Sequence, residues 1–290
     1  MSTLKGIVSM LLLVLSTLFW AVPLYALALL KLIAPTRRLR ERLLAGLNHI
    51  ALAWIGTNLW WMRHWLNPRL EIHLPEGLSP RQWWLVIVNH RSWTDIFMLQ
   101  LALHRRIPMP RFFMKRELIW VPVIGLAWWA LEFPFMRRYK RDRLERNPRL
   151  AKRDQEATRL LCARAQNMPM AIYNFVEGTR FTAAKHKAQA SPYDNLLKPR
   201  AGGTAQVVSL LGKRLSGVLD VTLVYTRERP NFWDFLCGRE TPVVLHARRI
   251  ELPNWMHDGD YHRNPQYKER FQTWLNALWQ EKDRTLASLR

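Results

Sequence analysis

A histidine and an aspartate stand close together directly after an apolar run, and as a pair they could act as a base. The run Trp83–Val88 has the β-branched residues of a buried parallel strand, and it leads into the polar stretch that contains His90 and Asp95. In open α/β sheets, ligands bind at the carboxyl ends of the strands. A carboxylate bonded to one imidazole nitrogen raises the basicity of the other. The pair therefore predicts a general base, although the spacing also fits a loop histidine with a purely structural hydrogen bond.

Two further clusters have the chemistry of an anion site. The segment Glu177–Arg180 (Glu-Gly-Thr-Arg) follows another short apolar run, and its arginine carries the planar guanidinium that suits a phosphate group. Its glutamate could hold that arginine or bind a hydroxyl. In the second cluster, Lys115 and Arg138 bracket the apolar, tryptophan-rich stretch Leu118–Ala130, so that both could approach one anion. For the first cluster the alternative is a surface turn with an ion pair. For the second it is a core helix with solvated charges on either side.

Several other chemistries lack their motifs in this sequence. There is no Gly-x4-Gly-Lys-Ser/Thr phosphate loop, no Gly-x-Ser-x-Gly nucleophile elbow and no His-Glu-x2-His zinc pair. The two cysteines, Cys162 and Cys237, are too few for a disulfide-rich scaffold or a cysteine-rich zinc module. Neither has a histidine near it in the sequence to activate it. We therefore predict two structural thiols and no metal site.

Apolar runs alternate with helical segments after residue 67, and this order is typical of an α/β domain. We predict strands at Trp83–Val88, Met170–Val176, Leu215–Tyr225 and Val243–His246, and helices at Thr94–Leu103, Asp154–Gln166, Gly203–Leu211 and Asn264–Arg290. The last of these helices is amphipathic. The expected fold class is therefore α/β, with a mostly parallel central sheet flanked by helices.

The N-terminal part differs in composition, and we predict a domain boundary between 1–66, with membrane-embedded or interfacial helices, and 67–290. The stretch Gly6–Leu30 is uncharged; as a helix it would be roughly 37 Å long, enough to cross a hydrocarbon core of about 30 Å. Pro23 could kink one spanning helix or mark the corner of a helical hairpin that re-enters. A cleaved signal peptide is a third interpretation. The segment Leu43–Trp65 fits a second membrane-proximal helix or an ordinary buried one.

The charge is large and unevenly distributed. The 290 residues include 44 Lys+Arg and 22 Asp+Glu, for a net charge of +22, yet 49% are hydrophobic and 15 are tryptophan. Such a chain is too apolar for a disordered basic tail. The basic residues crowd into 137–153, whereas the first 36 residues contain only two, and this arrangement favours an anionic membrane surface. A membrane-anchored nucleic-acid-binding or scaffold protein is the alternative, although no helix-turn-helix, RRM or zinc pattern supports it.

Three motifs in this order resemble those of the lysophospholipid acyltransferases, the 1-acyl-sn-glycerol-3-phosphate acyltransferase family. The matching residues are His90 and Asp95 (His-x4-Asp), Lys115, Leu118, Gly125 and Arg138 (Lys-x2-Leu-x6-Gly-x12-Arg), and Glu177, Gly178, Thr179 and Arg180 (Glu-Gly-Thr-Arg). The stretches 89–93, 174–182, 219–225 and 274–284 resemble the bacterial inner-membrane YihG-like subgroup. The chain departs from the family at Val176, where proline is common, and at Leu219–Thr222, where the family usually has Val-Pro. These departures concern the preference for acceptor and acyl chain.

The resemblance implies a glycerolphosphate acyltransferase-like fold and a reaction. An acyl group would pass from acyl-CoA or acyl carrier protein to the free sn-2 hydroxyl of lysophosphatidic acid, or a related lysophospholipid, giving phosphatidic acid. His90 would be the general base, oriented by Asp95. The implied substrate-binding residues are Lys115, Arg138, Glu177, Gly178, Thr179 and Arg180. No cofactor is expected besides the thioester co-substrate, and the expected partners are membrane lipids and the acyl donor, without nucleic acid.

The expected location follows from the same resemblance and from the charges beside the apolar stretch. Four arginines, at positions 37, 38, 40 and 42, follow that stretch. Basic residues beside a membrane segment favour the cytoplasmic side. We therefore expect a protein of the bacterial inner (cytoplasmic) membrane whose catalytic domain lies on the cytoplasmic side.

Overall fold

Strands that follow residue 67 form a mixed sheet in the computed structural model of the protein. The structure describes residues 2–136, 148–166, 168–226, 231–239, 242–257, 259–261 and 263–289. The sheet contains β1 (Leu70–His73), β2 (Trp84–Val88), β3 (Pro110–Phe112), β6 (Ala171–Phe175), β7 (Gly217–Tyr225) and β8 (Val243–Ile250). Their order across the sheet is β1-β8-β7-β2-β6-β3. A separate pair of short parallel strands comprises β4 (Met114–Lys115) and β5 (Phe135–Met136).

Strand direction follows the predicted pattern at the centre of the sheet. Strand β2 runs parallel to both β6 and β7, and every residue of β2 and β7 is buried. Strands buried on both faces read as continuous apolar runs, which is why the sequence revealed them. Strand β8 is antiparallel to β7 and parallel to β1. The predicted α/β class, with a mostly parallel sheet and flanking helices, is confirmed.

Helices follow the strands at the four predicted places. They are α3 (Thr94–Leu103), α5 (Pro148–Ala165), α7 (Ala201–Leu211) and α9 (Pro265–Ser288), and a further helix, α6 (Ala183–Gln189), was not predicted. Helix α9 begins where the Asn264 side chain accepts a hydrogen bond from the Tyr267 amide, with proline as its first residue; both features favour a helix start. Its apolar face is buried, including Phe271, Leu275 and Trp279.

The N-terminal stretch forms two long helices. They are α1 (Ser2–Ile33) and α2 (Arg37–Trp61), and a wider helical turn continues α2 over Met62–Leu66. They pack on each other, with hydrogen bonds from Trp20 Nε1 to Thr57 Oγ1 (3.1 Å) and from Trp65 Nε1 to Ser9 Oγ (3.1 Å). Helix α1 continues through Pro23 without a break, so the interpretation of that proline as the corner of two half-helices is wrong.

Chain contacts divide the molecule into two compact units. The first contains Met1–Pro68, Arg111–Leu161 and Trp233–Arg239, and the second contains Arg69–Pro110, Cys162–Phe232 and Glu240–Arg290. Besides α1 and α2, the first unit includes a short 3-10 helix (Arg116–Trp120) and α4 (Ile124–Ala130), while α8 (Phe232–Leu236) begins at the boundary. The predicted boundary between domains 1–66 and 67–290 separates membrane helices from the α/β domain. It stays a prediction.

Candidate active site

His90 lies just beyond the end of β2. There the side chain of Asn89, instead of the main chain, forms the hydrogen bonds to the neighbouring strand β7. Asn89 is fully buried, and its amide both donates to the Leu223 carbonyl (2.9 Å) and accepts from the Leu223 amide (2.8 Å) of β7. The main chain is thereby released from the sheet and can turn toward α3. The imidazole stacks on Phe175 at the end of neighbouring β6, with 4.1 Å between ring centroids. The parallel strands thus bring the two ends together, as expected at the carboxyl edge of a sheet.

Asp95 follows the turn after His90 and contacts the histidine side chain directly. It lies in the first turn of α3 and is fully buried. Its Oδ2 lies 2.7 Å from His90 Nδ1 and also accepts from the amides of Arg91 (2.7 Å) and Ser92 (3.0 Å). This geometry assigns the Nδ1 proton to the bond with the carboxylate and leaves Nε2 as the acceptor. Since the histidine side chain is 17% exposed, a small reactant can reach it.

Tyr225 completes the surroundings of this carboxylate. The last residue of β7, it is buried and donates from its hydroxyl to Asp95 Oδ1 at 2.6 Å. No short-range spacing pairs Tyr225 with Asp95, because the two residues are separated by 130 positions. The one available signal was that an apolar strand ends on a residue with a hydroxyl group beside a predicted polar edge.

Glu177 joins the two strand ends through the main chain. Its Oε1 accepts from the His90 amide (2.8 Å) and its Oε2 from the Leu197 amide (2.9 Å), while the side chain is 1% exposed. Burial raises the pKa of Glu177 to about 7, although the two amide bonds and nearby Arg91 favour the charged form. The carboxylate therefore positions the backbone of the predicted base. The contact with substrate predicted for this residue stays a prediction.

The rest of the Glu-Gly-Thr-Arg segment forms a tight turn. Gly178 has a φ of +71°, a conformation that favours glycine. Thr179 Oγ1 accepts from Lys185 Nζ at 2.7 Å, and the guanidinium of Arg180 lies over the ring of Trp93, 5.2 Å from its centroid. The amide that follows, of Phe181, donates to the His90 carbonyl at 2.8 Å. The turn therefore lies against the histidine loop, which brings the first and third predicted motifs together.

The loop 190–200 is held in place by α9, through contacts that none of the three motifs includes. The amides of Asp194 and Asn195 donate to the two carboxylate oxygens of Asp283, at 2.9 and 2.8 Å. Trp279 Nε1 donates to the Leu197 carbonyl at 2.9 Å. The Asn195 carbonyl in turn accepts from Arg91 at 2.8 Å. Helix α9 thus fixes the loop whose amide binds Glu177.

The second motif is placed in the other unit. Lys115 is an exposed residue of β4, and Leu118 and Gly125 lie in the 3-10 helix and α4. A side chain at Gly125 would meet the Ile119 carbonyl oxygen at 2.2 Å, so the motif glycine permits this close turn. Arg138 lies outside the described residues. Participation of Lys115 and Arg138 in an anion site stays a prediction.

The arrangement can withdraw a proton from a hydroxyl group. An imidazole with a buried carboxylate on one nitrogen and a partly exposed second nitrogen is the usual geometry of a general base. Among the residues that the structure describes, no group of three or more His, Cys, Asp or Glu side chains is arranged to hold a metal ion.

Comparison with known proteins identifies the family of the chain that contains this site. Residues 69–226 match the Acyltransferase family, a stretch that covers more than half of the chain and includes His90, Asp95 and the turn at 177–180. The chain belongs to the Acyltransferase family. Family membership agrees with the resemblance that the three motifs carry.

Curated relatives and a solved structure extend the comparison. The chain is 31% identical over 212 residues to 1-acyl-sn-glycerol-3-phosphate acyltransferase delta of Bos taurus, which covers 69% of this chain and 51% of the relative. It is 28% identical over 211 residues to the gamma protein of Mus musculus, covering 69% and 51%. The chain therefore spans about half the length of these curated relatives. The crystal structure of the 1-acyl-sn-glycerophosphate (LPA) acyltransferase PlsC from Thermotoga maritima matches 99% of this chain and 98% of its own, with a TM-score of 0.51 and 14% identity, which shows a shared fold.

Proposed function

We propose that this protein is an O-acyltransferase that moves a fatty acyl group from acyl-CoA or acyl carrier protein to the free sn-2 hydroxyl of lysophosphatidic acid or a related lysophospholipid. Phosphatidic acid, or the corresponding phospholipid, is the product. The observation that carries the proposal is the 2.7 Å contact between His90 Nδ1 and a fully buried Asp95, within a chain of the Acyltransferase family. The relatives named for 1-acyl-sn-glycerol-3-phosphate acylation support this acceptor.

The reaction needs one base and no covalent enzyme intermediate. His90 Nε2 accepts the proton of the lysophospholipid hydroxyl as its oxygen attacks the thioester carbonyl. Asp95 stabilises the imidazolium that results. The tetrahedral adduct then collapses, the carbon–sulfur bond breaks, and the thiolate recovers the proton from His90. General-base catalysis contributes about 10²–10⁴-fold, and positioning of the two substrates supplies the remainder.

The anionic groups of the substrates require cations, and three side chains are proposed for the phosphate of the acceptor. Arg180 belongs to the turn beside His90, and its stacking on Trp93 keeps the guanidinium extended, since aromatic faces attract cations. Lys115 and Arg138 are assigned to the same phosphate from the family motif. Thr179 and Gly178 shape the turn that carries the arginine. We also propose that the protein belongs to the bacterial YihG-like subgroup of these acyltransferases.

The acceptor and the product are lipids, and helix α1 offers a way to reach them. It is the one helix of the described residues long and apolar enough to cross a membrane. Apolar side chains such as Phe19, Val22 and Ile33 are 68–77% exposed on it. Trp120, in the same unit, is 84% exposed, and tryptophan favours the membrane–water interface. We propose that the protein is embedded in the bacterial inner membrane, with the catalytic domain and the arginines that follow α1 on the cytoplasmic side.

Replacement of the proposed base tests the reaction. With a long-chain acyl-CoA or acyl carrier protein as donor and lysophosphatidic acid as acceptor, His90→Ala should lower kcat by about 10²–10⁴-fold, measured as release of free thiol and formation of phosphatidic acid. His73→Ala is the matched control, because His73 also contacts a carboxylate (2.6 Å from Glu71) but lies at the surface. Absence of acyl transfer by the wild-type protein, or normal activity of His90→Ala, would refute the proposal.

Extraction from membranes tests the anchor. Electrostatic contacts are screened beyond roughly 3 Å in about 1 M salt, whereas an apolar helix stays in the bilayer. The protein should therefore remain with sedimented membranes in high salt and dissolve in detergent. Complete release by salt alone would show that α1 is not embedded.

A further inference from the structure

We propose that Tyr225 is a positioning residue for the reaction, which fixes the rotation of the Asp95 carboxylate so that Oδ2 always faces His90 Nδ1. The expected effect of Tyr225 on kcat rests on the proposed acyl transfer. The hydrogen bond itself is a separate observation and can be tested without activity.

The two oxygens of Asp95 have different surroundings. Oδ2 accepts hydrogen bonds from three groups, His90 Nδ1 and the amides of Arg91 and Ser92, at 2.7–3.0 Å. Oδ1 accepts a hydrogen bond from the hydroxyl of Tyr225 at 2.6 Å. A carboxylate can turn about its last side-chain bond with little resistance, since this torsion is broad. A donor on Oδ1 opposes that rotation, because turning would break the bond on both oxygens at once.

Tyr225 itself is held firmly. Its residue pairs with Val243 at the end of β7, and its side chain is 5% exposed. Two residues earlier, the Leu223 backbone is bonded to the Asn89 side chain on both its amide and its carbonyl. Because side chains alternate along a strand, Tyr225 and Leu223 share one face of the sheet. The other face is bound by α9, where Lys282 contacts Thr222. The hydroxyl therefore has a fixed position relative to Asp95.

The consequence for chemistry is orientation of the base. When His90 takes the proton of a hydroxyl, its ring becomes cationic, and the carboxylate must face Nδ1 without rearranging. Preorganised groups of this kind contribute because they do not reorganise during the reaction. A hydroxyl that donates to Oδ1 keeps its own proton, so Tyr225 supports the pair without exchanging a proton with substrate.

The kinetic test removes a single oxygen. Tyr225→Phe should lower kcat about tenfold and change KM for either substrate less than about twofold. The control is Tyr267→Phe, because Tyr267 is also buried and its hydroxyl donates to a carbonyl, that of Met256 at 2.9 Å, away from His90. It should leave kcat near the wild-type value. Equal kcat losses in the two variants, an effect on KM alone, or an unchanged kcat in Tyr225→Phe would overturn the inference.

A second measurement uses folding instead of activity. The melting temperatures of Tyr225→Phe, Asp95→Asn and the double variant form a cycle. If the hydroxyl acts through this carboxylate, the double variant should lose less than the sum of the two single losses. Additive losses would overturn the contact. The two failures are distinguishable: a wild-type protein without acyl transfer would refute the proposed function, whereas the cycle would still test the bond between Tyr225 and Asp95.

Discussion

Two buried aspartates, Asp95 in the first turn of α3 and Asp220 in β7, are stabilised in opposite ways. Asp95 is surrounded by main-chain amides, a phenol hydroxyl and an imidazole. Asp220, in the middle of β7, is bound by two cations, with Lys282 Nζ 2.6 Å from one oxygen and Arg248 Nε 2.9 Å from the other. Both carboxylates are 0–1% exposed. At Asp220 the charge is paired with cations within the fold, whereas at Asp95 it faces the imidazole of His90, the proposed base.

The cationic partners of Asp220 belong to a network that joins three elements. Lys282 of α9 is fully buried and also donates to the Val221 carbonyl at 2.6 Å. Burial lowers the pKa of this lysine, and the nearby aspartate opposes that change. Arg248 of β8 binds Glu281 of α9 as well, at 2.7 Å. The network connects β7, β8 and α9, so we interpret it as structural.

The same substitution at both aspartates gives the largest expected contrast. Asp95→Asn should lower kcat about 10²–10⁴-fold, because the base loses its anionic partner. Its unfolding free energy should fall by about 1–3 kcal/mol, the cost of disturbed buried hydrogen bonds. Measured kcat and denaturant unfolding of the purified protein check both values.

Asp220→Asn should show the reverse. It leaves Lys282 buried without its anion, and breaking a buried ion pair costs about 3–5 kcal/mol. The folded fraction should retain kcat within about threefold. If Asp220→Asn abolished turnover at full stability, or Asp95→Asn left kcat unchanged, the division between a structural and a functional carboxylate would be wrong.

Glu177 is a third buried carboxylate and gives a smaller, pH-dependent effect. Burial raises its pKa from 4.5 to about 7 in the folded protein, so between these values the folded state holds a proton that the unfolded chain has released. The unfolding free energy should therefore fall as pH rises through this window, by at most on the order of 3 kcal/mol, and level off above it.

The variant Glu177→Gln should remove this dependence, because a glutamine does not titrate. Denaturant unfolding at about pH 5 and about pH 8 measures it, with exposed Glu76 changed to Gln as the control. A slope in Glu177→Gln as steep as in the wild-type protein would assign the effect to another group.

Local sequence was sufficient for the elements with strong patterns. Helix α3 occupies the predicted residues, and β2, β6 and β7 lie within two residues of their predicted ends. Strands β1 and β3 were missed, since β1 is short and mostly exposed and β3 begins at a proline. Their place in the sheet depends on partners that are distant in the chain, which no local pattern contains.

Contacts between distant segments separate what was found in the site from what was missed. The His90–Asp95 pair lies within one turn, so its spacing in the sequence predicted the contact. Tyr225 and Asp283 act through bonds to segments 130 and 88–89 positions away. Leu197 contributes through its amide, and main-chain donors leave no signature in the type of residue.

The sequence by itself determined the α/β class, the contact between His90 and Asp95, the Glu-Gly-Thr-Arg turn and the apolar N-terminal helix. These features follow from periodicity, from short-range spacing and from the positions of glycine and charge. The tertiary structure alone decided that Glu177 binds the backbone of His90, that α9 fixes the loop 190–200, and that Tyr225 holds Asp95. The physical reason is that a buried polar group must find its partner wherever the fold brings one within hydrogen-bond distance.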